Sequence, residues 1–111
     1  MTSRRPAGPI PASQHTHVRA LQASPTALEL ANEHPTNAMT VSDSESVAAC
    51  LRFLDDHRVM VEPACGAALA LLYSGRQREL FRRFDSVCVV VCGGGGVDLS
   101  LLAEWQQGFG L

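Results

Sequence analysis

The chain has 111 residues, 46% of them hydrophobic, and a formal net charge of −2, which is typical of one small globular domain. The absence of a basic excess argues against nucleic acid or an anionic membrane as a partner, and no apolar run approaches the roughly 20 residues that span a bilayer. All nine basic residues are arginines, so no side-chain amine is present to form a Schiff base.

Residues 1–26 differ in composition from the rest of the chain. They contain four prolines, scattered small polar residues and no stable apolar period, so we predict that this segment is disordered. The segment also contains arginine and serine but no acidic residue, a composition that weakly resembles an organelle transit peptide. The Arg4–Arg5 pair is not followed by the apolar core of a secretory signal.

The ordered part of the chain is predicted to begin near residue 27. A short helix around residues 28–31 ends before Pro35, and residues 38–41 predict a strand. The next helix begins with Ser42, which has Glu45 three residues later as in a capping box. Its apolar positions follow the helical period and are Val47, Cys50, Leu51 and Leu54.

A second strand, 59–61, precedes a longer predicted helix over residues 63–84. Pro63 suits the first position of a helix. The following turns are apolar all round, which predicts burial on all sides. After Tyr73 the pattern is amphipathic, and we interpret its arginines as a solvated face; they are Arg76, Arg78, Arg82 and Arg83.

Residues 86–92, SVCVVVC, are the strongest strand signal. Their continuous apolar pattern is typical of a strand buried on both faces of a parallel sheet. The last helix is predicted to begin near Asp98 or Ser100 and to end at Gly108, and its apolar residues are Leu101, Leu102 and Trp105. The order β-α-β-α-β-α indicates an α/β domain with a partial three-layer α/β/α architecture and a parallel sheet. Three strands and their helices cannot cover both faces of such a sheet, so the sequence resembles one side of a larger core.

The four cysteines are Cys50, Cys65, Cys88 and Cys92. None forms a CxxC pair and no histidine cluster completes a zinc set, so no metal site is expected. On an extended strand Cys88 and Cys92 lie about 13 Å apart, too far for a disulfide, which needs Cα atoms within about 7 Å. We interpret all four as reduced thiols of an intracellular, cytoplasmic protein.

The run Gly93–Gly96 follows the third predicted strand. Its unobstructed amides would suit an anion at a helix N-terminus. There is no lysine of the phosphate-loop type and no GxGxxG context. The glycines therefore indicate either an anion site or, with more support, a tight turn with close backbone approach.

Three stretches resemble a known family. VEPACGAALALLYSG (61–75), VCVVVCGGGGVDLSLLAEW (87–105) and SDSESVAACLRFLDDHRVMVEPACG (42–66) are similar to the C-terminal part of the L-serine dehydratases. These are pyridoxal-phosphate lyases of fold type II, related to threonine deaminase and serine racemase. The resemblance covers roughly residues 27–111 and implies an incomplete fold type II domain, whereas residues 1–26 match nothing in the family.

The resemblance implies a cofactor contact at the end of the third strand. Cys92 would face the pyridine nitrogen and Gly93 would follow it in the family's CGG motif, while a different glycine loop, far upstream, holds the phosphate. A thiol is a weak donor that leaves the ring close to neutral, which suffices for elimination of a β-hydroxyl. The alternative for Cys92 is a small buried apolar residue at a strand end.

Glu62 is the third expected cofactor-binding residue. It would help to shape the pocket, or it would simply be a favourable acid at a helix N-terminus. Gly95 and Gly96 stand where family members often have a polar pair that includes an asparagine. The Schiff-base lysine segment, phosphate loop and substrate loop of the family are missing from this chain, so no catalytic residue is expected in it.

Two functions follow as expectations. The first is the C-terminal portion of a pyridoxal-phosphate-dependent L-serine (L-threonine) dehydratase, inactive alone, from a truncated gene model or an alternative product. The intact homodimer would convert a small amino acid, L-serine, to pyruvate and ammonia. The second is a non-catalytic module that pairs with a full-length dehydratase.

Overall fold

The computed structural model describes residues 24–111, so most of the segment predicted to be disordered lies outside them. The chain divides after Pro35 into two compact units. In the first, helix α1 spans Pro25–Glu33, which confirms the short helix predicted before Pro35. The second unit contains α2 (Asp43–His57), α3 (Pro63–Tyr73), α4 (Arg78–Phe81) and α5 (Leu99–Phe109). None of these helices has the length and apolar character needed to cross a bilayer.

Helix α2 begins with the predicted capping box. The Ser42 hydroxyl accepts the Glu45 N–H at 3.2 Å, and the Glu45 carboxylate accepts the Ser42 N–H at 2.8 Å. Both hydrogen bonds satisfy N–H groups that have no partner within the helix. The Ser42 N–H and the Ser42 hydroxyl both donate to the Glu45 carboxylate and lower its pKa, since they favour its ionised form.

Helices α2 and α3 approach closely at Gly66. A methyl group there would lie 2.6 Å from Cys50 Sγ and closer still to the Ser46 carbonyl oxygen, so the contact requires a glycine. The Ser46 hydroxyl donates to the Pro63 carbonyl in the same contact, which satisfies a buried polar group. Around it lies the apolar core of Val47, Ala49, Cys50, Val61, Cys65, Leu69, Ala70, Val97, Leu102 and Trp105.

The single helix predicted over residues 63–84 is wrong. Helix α3 ends at Tyr73, and Gly75 adopts a left-handed conformation with φ +68°, which ends a helix readily because glycine has no Cβ. Arg76 then turns back to form an ion pair with Glu45 at 2.6 Å. The prediction of burial on all sides is also wrong, because the buried positions of α3 form one face and Leu72 is 38% exposed.

The predicted strands are not formed within residues 24–111: segments 38–41, 59–61 and 86–92 have no strand assignment. One backbone hydrogen bond, from Glu62 N–H to the Gly93 carbonyl at 3.0 Å, runs beside the last two segments. Val90 is 76% exposed, although burial on both faces was predicted. A strand requires hydrogen-bonding neighbours and a covered face. The described residues supply no strand that pairs with segment 86–92, and of its valines Val89 alone packs against the core. The α/β/α layers are therefore absent from this part of the chain, which consists of helices joined by segments without regular secondary structure.

Helix α5 confirms the last predicted helix with small changes at its ends. Asp98 caps it by accepting the Leu101 N–H at 2.8 Å, and Gly110, in the left-handed region, ends it two residues after the predicted Gly108. Leu102 and Trp105 are buried, as their spacing predicted.

Replacing Gly66 by alanine should lower the free energy of unfolding by about 1–3 kcal/mol, because the added methyl group separates α2 from α3. Urea unfolding followed by circular dichroism measures the change. Gly108→Ala is the matched control: no atom lies within 4 Å of a methyl group there, so it should leave stability unchanged or raise it by about 0.5–1 kcal/mol. Equal effects of the two substitutions would contradict the proposed packing constraint.

Candidate functional site

The three residues predicted to bind a cofactor lie together. They occupy the glycine junction, which we define as the contact between residues 60–66, where α3 begins, and residues 92–97. The Gly93 carbonyl accepts the Glu62 N–H, and Glu62 Oε1 accepts the Gly96 N–H at 3.0 Å. The Cys92 N–H donates to Cys65 Sγ at 3.2 Å.

The glycine run is a close-approach turn in this structure. A methyl group on Gly94 would collide with the Met60 carbonyl group. The Val97 N–H donates to the Gly94 carbonyl at 3.1 Å, and Val97 is 8% exposed, which anchors the turn to the core. These contacts favour the tight turn over the anion site that the four glycines also suggested.

Glu62 holds the glycine run rather than capping its own helix. It is the N-cap residue of α3, but its side chain makes no capping hydrogen bond. Its carboxylate instead accepts the Gly96 N–H. A negative charge bound to this amide opposes the binding of a phosphate at the same place, which supports the prediction that Gly93–Gly96 do not cradle a phosphate.

Cys92 is exposed, and its thiol lies 3.0 Å from the sulfur of the buried Cys65. The hydrogen bond with Cys65 is the main reason that the pKa of Cys92 is raised, because it stabilises the protonated donor. Cys92 is therefore a neutral thiol at the surface, not the small buried apolar residue of the alternative interpretation.

Cys65 is the site residue that sequence reasoning missed, since it was interpreted only as one of four reduced thiols. It is 1% exposed, and burial acts to raise the pKa of its thiol. Hydrogen bonds from the Cys92 side chain and from the backbone of Gly93, Cys92 and Glu62 outweigh burial and lower that pKa. Its position in the first turn of α3 also favours the thiolate, and this position was readable from Pro63.

Cys50 is a third thiol beside the junction, in a different environment. It donates to the Glu62 carbonyl at 3.4 Å, and burial together with the charge of Cys65 raises its pKa to about 11. Cys50 is thus an inert core thiol. In residues 24–111 no group of three or more His, Cys, Asp and Glu side chains is placed to hold a metal ion.

Comparison with known proteins places these residues in a family. A sequence profile described as pyridoxal-phosphate dependent enzyme matches residues 3–93. The chain is 40% identical to the bovine (Bos taurus) L-serine dehydratase/L-threonine deaminase, over 77% of this chain and 28% of that protein. It is 47% identical to the rat (Rattus norvegicus) serine dehydratase-like protein, over 69% of this chain and 25% of that protein. The chain is 37% identical to a Dictyostelium discoideum L-serine dehydratase, over 73% of this chain and 23% of that protein.

The chain thus spans about a quarter of the length of the curated relatives that it matches. The family match begins at residue 3 and ends at Gly93. It therefore includes most of residues 1–26, for which the sequence alone suggested no relative, and it covers Glu62, Cys65 and Cys92.

Removing the carboxylate of Glu62 should release the Gly96 amide. In Glu62→Ala, hydrogen exchange of that amide is expected to accelerate about fivefold, because one net hydrogen bond is lost. Amide exchange measured by NMR provides the rate. Glu62→Gln retains an oxygen acceptor and should change the rate little, as should Glu104→Ala on the exposed side of α5. An unchanged rate in Glu62→Ala would contradict this role for the carboxylate.

Proposed function

The chain belongs to the pyridoxal-phosphate-dependent enzyme family, and we propose that residues 27–111 are the C-terminal part of a dehydratase domain acting on L-serine or L-threonine. The observation that carries the proposal is the identity to two relatives, 40% over 77% of this chain for the bovine dehydratase and 47% over 69% of it for the rat serine dehydratase-like protein. The intact enzyme would be a cytoplasmic homodimer that releases ammonia from a small amino acid. Residues 27–111 would contribute one wall of its cofactor site.

The geometry of the glycine junction is suited to the edge of a flat ring. A methyl group on Gly93 or Gly95 would meet no atom within 4 Å, so there is open space beside the exposed thiol of Cys92. A carboxylate in place of this thiol would hold the ring nitrogen protonated, which a neutral thiol does not. The group, when bound, supplies an electron sink for bond breaking at the substrate's α-carbon.

Each junction residue would have a distinct task toward the ring. Cys92 would turn its S–H from Cys65 to the ring nitrogen, where a neutral thiol is a weak donor. Gly93 would leave room for the ring edge. Glu62 would hold the glycine run in position by accepting the Gly96 N–H. Its effect on the ring would therefore be transmitted by the backbone of the glycine run and not by direct contact.

The 111-residue chain should not catalyse the reaction by itself, because it contains no lysine to attach the cofactor aldehyde. With added pyridoxal phosphate and L-serine, we expect pyruvate only at the rate given by the free cofactor. A coupled lactate dehydrogenase assay measures pyruvate, and the full-length rat serine dehydratase-like protein is the comparison. Pyruvate formation that rises in proportion to the concentration of the chain would contradict the proposal.

A second function is favoured by the exposure of segment 87–91. Val87, Val90 and Val91 are 45%, 76% and 37% exposed. The segment has the sequence pattern of a strand but no strand partner in the described residues, and exposed apolar residues of this kind mark a surface for strand pairing. We propose as the alternative that this segment pairs with a full-length dehydratase, so that the chain acts as a non-catalytic module.

Co-purification tests the alternative function. The tagged chain should retain the full-length rat relative, and Val90→Asp should abolish retention because a charge cannot be buried in a strand interface. Leu99→Asp is the control, since Leu99 is 66% exposed on α5 and lies outside the segment. Failure of the unmodified chain to retain the relative, or equal retention by both variants, would exclude pairing through segment 87–91.

A further inference from the structure

The glycine junction brings two thiols together, Cys65 and Cys92, although the proposed function gives no role to Cys65. The Sγ atoms of Cys65 and Cys92 lie 3.0 Å apart, although 27 residues separate them in sequence. From this juxtaposition we propose that Cys65 and Cys92 are a thiol–disulfide modification site, in which a small disulfide oxidant converts the pair to an intramolecular disulfide.

Only a small movement separates the thiol pair from a covalent bond. A disulfide has its sulfurs about 2 Å apart, so they must approach by roughly 1 Å. Cys65 is held in the first turn of α3 and is 1% exposed. Cys92 precedes the glycine run on a segment that belongs to no helix or strand of the described residues, so the movement falls on Cys92.

The two thiols differ in access, which sets the order of events. Cys92 is exposed and Cys65 is buried behind it, so an oxidant from solution meets Cys92 first. Cys65 is then placed to attack the mixed disulfide. The protonation of the pair supports this order, because hydrogen bonds at Cys65 lower its pKa and thiolates are the attacking species in exchange.

With glutathione disulfide as the oxidant, the exchange balances in two steps. The pair begins as a Cys65 thiolate and a Cys92 thiol. Cys92 passes its proton to Cys65 Sγ along the S–H···S contact, attacks one sulfur of the oxidant and releases the first glutathione as a thiolate. That thiolate takes the proton from Cys65, and the Cys65 thiolate attacks Cys92 Sγ and releases the second glutathione as a thiolate. The two cysteines lose two electrons and the one proton that they held, and the oxidant gains both electrons; the second glutathione thiolate takes its proton from water.

The disulfide would lock the start of α3 to residue 92 and remove the S–H of Cys92. Loss of that donor beside the ring nitrogen is a consequence that rests on the proposed function. Formation of the bond does not rest on it, because the reaction involves only this chain and the oxidant.

Tryptic mapping of the full 111-residue chain after incubation with glutathione disulfide tests the proposal. Cleavage after arginine places Cys65 in peptide 59–76 and both Cys88 and Cys92 in peptide 84–111. We expect these two peptides to be linked, with a mass lower by two hydrogens than their sum, and to separate on reduction. Cys92→Ser should decrease the linked product at least tenfold, to about the level of random pairing. Cys88→Ser, an exposed cysteine in the same peptide, should leave the linked product unchanged.

In an unfolded chain, loop entropy favours a disulfide between Cys88 and Cys92 instead of one between Cys65 and Cys92. In an unfolded chain the short loop between Cys88 and Cys92 closes at a lower entropic cost than the 27-residue loop between Cys65 and Cys92. In urea we therefore expect the internal bond of peptide 84–111 to prevail, and without urea the link between the two peptides. The proposal is overturned if the internal bond prevails in both conditions, if Cys92→Ser retains the link, or if Cys92 stops at the mixed disulfide. The mass readout involves no cofactor, so a failure of the proposed function leaves it unaffected.

Discussion

The close contact of α2 and α3 at Gly66 is the constraint on which the rest of the second unit depends. Because Gly66 has no side chain, the Ser46 carbonyl and Cys50 Sγ occupy the space that a Cβ atom would fill. Since the first turn of α3 is thereby fixed against α2, the positions of Glu62 and Cys65 are fixed as well. These two residues then hold the glycine run through the Gly96 amide and the Cys92 amide. Packing between two helices thus determines the geometry of a loop some 30 residues further along the chain.

The glycine junction separates three thiols by environment rather than by residue type. Burial makes Cys50 a poor acid. Hydrogen bonds from the side chain and backbone make Cys65 a better one, while Cys92, at the surface, keeps its proton because it donates that proton to Cys65. This contact prepares the pair for thiol exchange, whereas in the proposed function the S–H of Cys92 would turn from Cys65 to the ring nitrogen. Contact with the ring and formation of the disulfide are alternatives for Cys92. The redox state of the pair would decide between them, because Cys92 has an S–H to donate only while the pair is reduced.

Residues 86–92 show how much a strand depends on its neighbours. SVCVVVC has the pattern of a central strand of a parallel sheet, and the aligned part of this chain covers only about a quarter of each relative. Among the described residues Val90 stays 76% exposed, and the segment forms no strand. An apolar pattern indicates that a segment is suited to burial. Whether the segment is buried depends on a second element that packs against it. Helices α2 and α5 form without a hydrogen-bonding neighbour, because the backbone hydrogen bonds of a helix lie within the helix itself.

Local features were determined by the sequence alone, because they depend on interactions between residues close together in the chain. These include the Ser42–Glu45 capping box, Pro63 at the start of α3, the Asp98 cap and the helical faces carrying Val47 and Trp105. The family resemblance likewise followed from residues 61–75 and 87–105. The missing strands and the pairing of Cys65 with Cys92 were decided only by tertiary structure. Each depends on which distant residue occupies the adjoining space, and neither the helical period nor local spacing encodes that contact.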